Sequence, residues 1–503
     1  MNWQVWLPLL VVLSSLLPGL IIFVLPENRV GLRTVLNISG AIAKLFLVGW
    51  MLWGVAEGHH FEARLALLPD IELVLRADPL ALLFVTLSAV LWLLTTMYAI
   101  GYLEGSPHRS RFFGFFSLCV TAATGVALSG NLLTFLVFYE LLTLTTYPLV
   151  VHRGTEMARQ AGQTYLIYTL AGGALLLLGT VWLYTLTGTL EFTEHGFLHE
   201  LDTAHHPSLI IIFILLIAGM GVKAALVPLH GWLPKAMIAP APVSALLHAV
   251  AVVKAGAFGI VRVVYDVYGV EFAQMLNLLT PLAIAASVTI IWGSLRALFQ
   301  DDLKKRLAYS TVSQVSYIAL GVALFGPIGT IGGLVHLVHQ GIMKITLFFC
   351  AGNYAEKLGI HRISQMNGTG RRMPLTTIAF SVAALGMMGA PLTAGAVSKA
   401  WLMDGATAAN MPWVVWVLWA SSLLNAAYFL PILWRSWFLS QPYAWPNDHP
   451  PIRQWHEAPW LLLLPPLVTG TAILVADVFA TFEMSPLAWA QLITDREYFR
   501  GVP

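Results

Sequence analysis

Residues 219–256 read GMGVKAALVPLHGWLPKAMIAPAPVSALLHAVAVVKAG, a run apolar enough for a bilayer that nevertheless carries Lys223 and Lys254. Pro228, five residues after Lys223, lacks an N–H and collides with the carbonyl of Ala224, so the helix bearing that lysine has to kink or end. A lysine beside interrupted backbone at membrane depth is a place to hold and hand on a proton or cation.

The rest of the chain extends this reading. Of 503 residues 58% are hydrophobic and 10% charged, against roughly 25% charged in soluble globular chains. Apolar windows fall near 4–25, 34–55, 78–100, 112–129, 131–151, 164–187, 208–230, 242–264, 279–299, 307–325, 330–352, 374–403, 413–438 and 459–481. These predict an all-α, polytopic membrane protein of about fourteen transmembrane helices in a single integral membrane domain, 1–503. Ser129, Gly130 and Asn131 supply the turn that divides 112–151 into two crossings. The first run, from Trp6 to Leu25, lacks a basic flank and is too long for a signal sequence, so it reads as a retained span.

Basic residues alternate with the connections. Odd-numbered loops hold seventeen Lys and Arg, while even-numbered loops and the C-terminal tail hold five: Arg64, Arg76, Arg262, Arg496 and Arg500. This bias places the basic loops in the cytoplasm and both termini outside. Cys119 and Cys350 form no C-x-x-C and cannot build a multi-cysteine metal or iron–sulfur site. The 188–207 loop carries Glu191, Glu194, Glu200, Asp202 and four histidines, which fit either a zinc site or a solvated acidic loop.

Five lysines lie inside the windows: Lys44, Lys223, Lys254, Lys344 and Lys399. For Lys44, on a lone short helix, snorkelling or a neighbouring protein suffices. Glu140 lies mid-span within NLLTFLVFYELLTLTTYPLV. A central charge costs roughly 2.5–3.5 kcal/mol in lipid, so Glu140 and the other four lysines must face the protein interior. Each alone fits a structural ion pair; five of mixed sign on five helices favour a conduction path. Glu140 and Lys223 are the expected opening and closing pair, provided the fifth and seventh helices touch. His230, His248, His336 and His339 are candidate relays or hydrogen-bonded structural residues. His336 and His339, three apart on one helix, do not give the facing pair that haem requires. His248 and Lys254 are six apart, or about 240° of helix, and share a path only if that helix turns.

The twelfth window repeats the pattern of the seventh. It has GMMG, then Pro391, then Lys399; the seventh has GMG, Lys223, then Pro228. Two broken helices an odd number of crossings apart suggest an inverted repeat.

These residues resemble the antiporter-like membrane subunits of respiratory complex I, Mrp-type cation/proton antiporters and membrane-bound hydrogenases. The motifs that carry the likeness are PLHGWLPKAMIAPAPVSALLHAVAVVKAG (228–256), DDLKKRLAYSTVSQVSYIALG (301–321), HLVHQGIMKITLFFCAG (336–352) and APLTAGAVSKAWL (390–402), with Glu140 in FYELLTLTTYPL. The likeness covers roughly 75–440. It implies N-terminal helices 1–3 over 1–110, helices 4–8 over 111–265 and helices 9–13 over 279–440 as inverted five-helix repeats, and helix 14 over 459–481, with helices 7 and 12 broken. It also implies a proton path through Glu140, Lys223, Lys254 and Lys399, with His248, His336 and Lys344 as candidate relays. Lys235 and Ile238 stand where many relatives have acids. The chain ends at Pro503 without the long lateral helix of the largest complex I pump subunit, which points to the shorter pumps or a member of the Mrp type. The implied function is a proton-translocating subunit of a multi-subunit complex in the cytoplasmic (inner) membrane, exchanging protons for Na⁺ or K⁺. The alternative is a proton-pumping subunit of an NADH:quinone oxidoreductase or membrane-bound hydrogenase. No cofactor, no metal and no nucleic acid is expected; other membrane subunits and the bilayer are the partners. A quinone-binding redox enzyme, whose cofactor-ligand constellation is not found here, and a stand-alone symporter for a small anion or carbon species are the competing classes.

Overall fold

The computed structural model describes residues 3–68, 71–441, 445–447 and 456–499, the side chains of 68 and 247–249 excepted. Leucine, valine and alanine runs form long helices in which nearly every backbone donor finds its acceptor four residues back, the arrangement a hydrocarbon solvent demands. In chain order these are α1 (Trp3–Val24), α2 (Val30–Ala56), α3 (Pro79–Tyr102), α4 (Arg109–Ala127), α5 (Leu132–Val150), α6 (Glu156–Thr187), α7 (His206–Lys223), α8 (Ala241–Ala249), α9 (Val252–Arg262), α10 (Leu279–Leu298), α11 (Leu303–Ala323) and α12 (Pro327–Leu358). Then come α13 (Pro374–Met388), α14 (Ala394–Ala408), α15 (Pro412–Phe438), α16 (Trp460–Val478) and α17 (Pro486–Ile493).

Among the described residues eleven helices are long and apolar enough to cross a membrane. The three other expected windows differ from these for identifiable reasons. The 242–264 window is interrupted at Val250 and Ala251, and 374–403 is interrupted between Met388 and Ala394. The 307–325 window is one continuous helix, α11, interspersed with Ser, Thr and Gln. The interruption at Val250 separates His248 from Lys254 and was not expected from the sequence, since no proline lies inside that stretch.

The seventh window ends early. Its helix stops at Lys223, and residues 224–231 fold into turns before a short helix at Trp232–Lys235. Trp232 closes over this end, its indole N–H donating to the Val222 carbonyl at 2.7 Å. Ala225 here and Leu392 in the α13–α14 break both have left-handed backbone, φ 60° and 64°. Such a conformation costs a non-glycine residue about 1–2 kcal/mol and persists only where the surroundings impose it. Gly256, on α9, lets that helix press onto the broken end: a Cβ there would lie 2.6 Å from the Met220 carbonyl and 2.8 Å from the Lys223 carbonyl carbon.

A two-stranded antiparallel hairpin, β1 (Phe61–Leu68) with β2 (Ile71–Ala77), joins α2 to α3. Its two arginines meet three glutamates. Arg64 bonds Glu62, Glu72 and Glu191, and Arg76 bonds Glu62 and Glu191 at 2.6–2.7 Å. Glu191, from the acidic 188–207 loop, thereby ties that loop to the hairpin. The count of loop charges places Arg262 in an outer connection. It is instead 2% exposed and held by Asp78 and Asp266 at 2.8 and 2.7 Å, with Asp266 in a π-helical turn that continues α9.

Burial opposes the charge on Glu62, but Arg76 and Arg64 outweigh it and hold its carboxyl below the usual range. A carboxylate with a depressed folded value stabilises the fold above its unfolded value, near 4.3, and ceases to do so as pH falls through the folded one. Hydrogen exchange at residues 61–77, corrected for intrinsic rate, should be level from about pH 7 to pH 5 and accelerate below about pH 4. Glu62→Gln should flatten that dependence; an unchanged profile would show that the hairpin does not rely on this network.

Candidate functional site: a buried lysine series

The helix interruptions leave carbonyls without intrahelical partners; Lys399 takes two of these, whereas Lys223 and Lys254 donate to carbonyls within the continuous helices α5 and α12 and Lys344 to the Ser310 hydroxyl. Lys223 is the last residue of α7, at the negative end of the helix dipole. It is fully buried, and its ammonium donates to the Tyr139 backbone carbonyl on α5 while lying 3.4 Å from the centroid of the Tyr139 ring. The Tyr139 hydroxyl reaches back to the Gly219 carbonyl at 3.0 Å, so α5 and α7 touch.

Glu140, the next residue, lies half-buried on α5 and close enough to Lys223 for their charges to interact. It forms no ion pair with it: Lys223 is satisfied by the carbonyl, and Glu140 Oε1 has no hydrogen-bond partner. The carboxyl group rests against Gly173 of α6, where a Cβ would fall 2.6 Å from Cδ and 3.0 Å from Oε2.

Lys254, in the first turn of α9 after the Val250 interruption, donates to the Leu337 carbonyl of α12 at 2.6 Å. The neighbouring His336 is bonded through Nδ1 to Ser398 Oγ at 2.8 Å and stacks on Tyr317 at 5.0 Å. Lys399 lies 5.8 Å from that tyrosine ring and donates to the Met387 and Met388 carbonyls, the free end of α13, and to Ser422, each at 3.0 Å. Lys344 bonds Ser310 at 2.6 Å.

Lys344 and Lys399 are joined through side chains the sequence reading passed over. The Tyr428 hydroxyl is 2.8 Å from Ser310 and also bonds Asn425 Oδ1; Asn425 Nδ2 donates to the Met387 carbonyl at 3.1 Å. A phenol has one hydrogen, so when it points to Asn425 the Ser310 hydroxyl supplies the other bond. Between Lys254 and Lys399, His336 Nε2, Gln314, Tyr317 Oη and Ser421 are buried without a hydrogen-bond partner among the described residues; so are His339 and Gln340 on α12.

Lys223, Lys254, Lys344 and Lys399 are thus fully or almost fully buried, and among the described residues none is paired with a carboxylate. His248 lies in helix α8, but its side chain is outside the described residues. His230 is half-buried in the turn region, its ring 6.3 Å from that of Tyr309. Ser310, Gln314 and Tyr317 stood in view in the 301–321 motif, and their polarity inside an apolar window was the available signal. The carbonyl acceptors carry no sequence signal, apart from Pro391 beside the freed Met387 and Met388 carbonyls.

Broken membrane helices whose ends hold buried lysines define a class of polytopic helical proteins. The family follows from comparison. Residues 129–425 match the family model described as NADH:quinone oxidoreductase/Mrp antiporter, TM, and residues 69–113 match that of NADH-ubiquinone oxidoreductase (complex I), chain 5 N-terminus; the chain belongs to the NADH:quinone oxidoreductase/Mrp antiporter membrane family. It is 37% identical over 348 residues to NADH-quinone oxidoreductase subunit N of Desulforudis audaxviator, covering 68% of each chain. It is 32% identical over 418 residues to a protein of Staphylococcus epidermidis named "Putative antiporter subunit mnhA2", covering 78% of this chain but 50% of that one. The fold is that of a chain in the Mrp complex from Dietzia sp., with a TM-score of 0.86, 23% identity, and 99% and 98% of the two chains covered.

Alanine at a helical glycine ordinarily stabilises by about 0.5–1 kcal/mol. At Gly173 its methyl would displace the Glu140 carboxyl group. Gly173→Ala is therefore expected to lower the thermal midpoint in the wild-type background and to raise it beside Glu140→Ala, a non-additivity read by a double-mutant cycle. Stabilisation in both backgrounds would show that Glu140 does not rest there.

Proposed function

We propose that the chain is a proton-translocating, antiporter-like subunit of a multi-subunit membrane complex, moving protons along Glu140, Lys223, Lys254 and Lys399, with His336, Lys344 and His248 as relays. The observation that carries this reading is that the four lysines donate to carbonyls and hydroxyls and, among the described residues, none to a carboxylate. An ammonium locked to a carboxylate keeps its proton, because losing it strands a buried anion; one held by carbonyls releases it without leaving a charge behind. Glu140, beside Lys223 and unbonded at Oε1, is the group whose approach favours the charged lysine and whose withdrawal favours release.

The eleven long helices, with α8–α9, α11 and α13–α14 added, make fourteen crossings. We assign 1–110 to the N-terminal helices, 111–265 and 279–440 to two inverted five-helix repeats, and 459–481 to the last crossing. Left-handed Ala225 and Leu392 in the two breaks support the repeat. Both termini lie outside, and the membrane is the cytoplasmic one. The exchanged ion is Na⁺ or K⁺, as in Mrp-type systems. A redox-driven pump is the second reading, favoured by the 37% identity to an NADH-quinone oxidoreductase subunit N; the subunits that co-migrate with the native complex decide between the two.

In vesicles containing the intact complex, Lys223→Ala should cut proton flux by at least about a hundredfold, the low end of what a positioned proton-transfer group contributes, with assembly unchanged. Lys399→Ala should do the same, and wild-type flux in either variant removes that lysine from the path. Glu140→Gln should slow turnover across the working pH range; an unaltered rate would show that its charge plays no part.

A further inference from the structure

Lys44 neither snorkels nor reaches the outer surface of the bundle. It is fully buried among four helices, donating to Ser15 of α1 at 2.8 Å and Thr124 of α4 at 2.7 Å, with its ammonium 5.1 Å from the Trp92 ring of α3. Lys344 and Lys399 have the same setting, a hydroxyl acceptor and an aromatic ring, but Lys44 lies in a bundle that the four-lysine path does not enter. Ser88, Trp92 and Thr96 share one face of α3 at i, i+4 and i+8. Each has a buried polar atom with no hydrogen-bond partner among the described residues, and that face meets Lys44 through Trp92.

A polar series runs from Lys44 to the surface. Ser15 Oγ is 2.9 Å from Thr121 Oγ1, which bonds the Ser117 carbonyl at 2.9 Å. Ser117 Oγ bonds Asn37 at 3.4 Å, and Asn37 donates to the Arg33 carbonyl at 3.0 Å. Arg33 bonds Ser110 at 2.8 Å and lies 3.9 Å from Glu27, whose half-exposed carboxylate also accepts from the backbone N–H groups of Arg109 and Ser110 at 3.0 Å. All these side chains lie on α1, α2, α4 and the loops that join them at one end, where Arg29, Arg33, Arg109 and Arg111 belong to the basic connections.

We propose that Lys44 is a further proton-carrying site with its own lead, between α1, α2 and α4, to the surface at Glu27. The inference rests on the reading of the chain as a proton translocator. Glu27 and Arg33 are the charged groups at the lead's outer end; α1, α3 and α4 face Lys44 with Ser15, Trp92 and Thr124 and contribute no ionisable side chain there. A carbonyl cannot pass a proton on, so the steps at Ser117 and Arg33 require bridging water.

Two arms test this. With Cys119 and Cys350 replaced by alanine in the intact complex, Asn37→Cys, Thr121→Cys and Lys44→Cys should react with a charged, membrane-impermeant methanethiosulfonate from the Glu27 face alone, and lipid-facing Ile42→Cys should not. This arm does not depend on transport. Absence of labelling at all three positions would overturn the lead. In proton-flux assays Lys44→Met and Lys44→Arg should both lose flux at least about a hundredfold, because an arginine in that place cannot release its proton. A merely structural ammonium would be replaced by Lys44→Arg, and wild-type flux in that variant would overturn the proposal. An inactive wild-type complex would instead sink the parent reading while leaving the labelling result standing.

Discussion

Charged groups in a low-dielectric interior must be held by something, and in this chain it is backbone carbonyls and hydroxyls: the Tyr139 and Leu337 carbonyls for Lys223 and Lys254, Ser310 for Lys344, and the freed end of α13 for Lys399. The α7 and α13 termini each present backbone oxygens where a continuous helix would have none to spare, and Lys223 and Lys399 sit at these ends. The same interruptions make the backbone follow left-handed turns at Ala225 and Leu392. The strained backbone thus lies where two helices end at membrane depth, beside Lys223 and Lys399.

The surrounding packing serves these helix ends. Trp232 caps the α7 end, Gly256 lets α9 close on it, and Gly173 leaves space for the Glu140 carboxyl group. In the second half, α12 is a 32-residue rod buried almost throughout, carrying His336 and Lys344 and offering the Leu337 carbonyl to Lys254. The two halves meet at that contact. Carboxylates are placed differently: those at the loop side, Asp78, Asp266 and Glu191, are paired tightly with arginines. The charge pairs that brace the fold use arginine, whose proton does not leave. The buried series uses lysine, whose proton can.

Much of this was legible from residue order. Prolines 228 and 391 marked two breaks, and lysines inside apolar windows marked the series. The interruption at Val250 carried no local signal, since residues 243–255 contain neither proline nor glycine. The hairpin at 61–77 was missed since its apolar alternation is short and bounded by no strong turn pair. Arg262 was misplaced because a count of loop charges cannot see that Asp78, 184 residues away, reaches it. Lys44 was undervalued for a related reason: its partners are hydroxyls on other helices, and Ser15 and Thr124 look like ordinary small packing residues in a linear reading.

The central claim is that the lysines are linked through a polar, water-accessible interior rather than isolated in separate dry sites. A cryo-electron-microscopy map of the intact complex, at a resolution that shows ordered water, addresses it most directly. The expected result is solvent density bridging His336 Nε2, Gln314 and Tyr317 Oη between Lys254 and Lys399. An interior empty of density there, with apolar side chains closed between the two ammonium groups, would contradict the account.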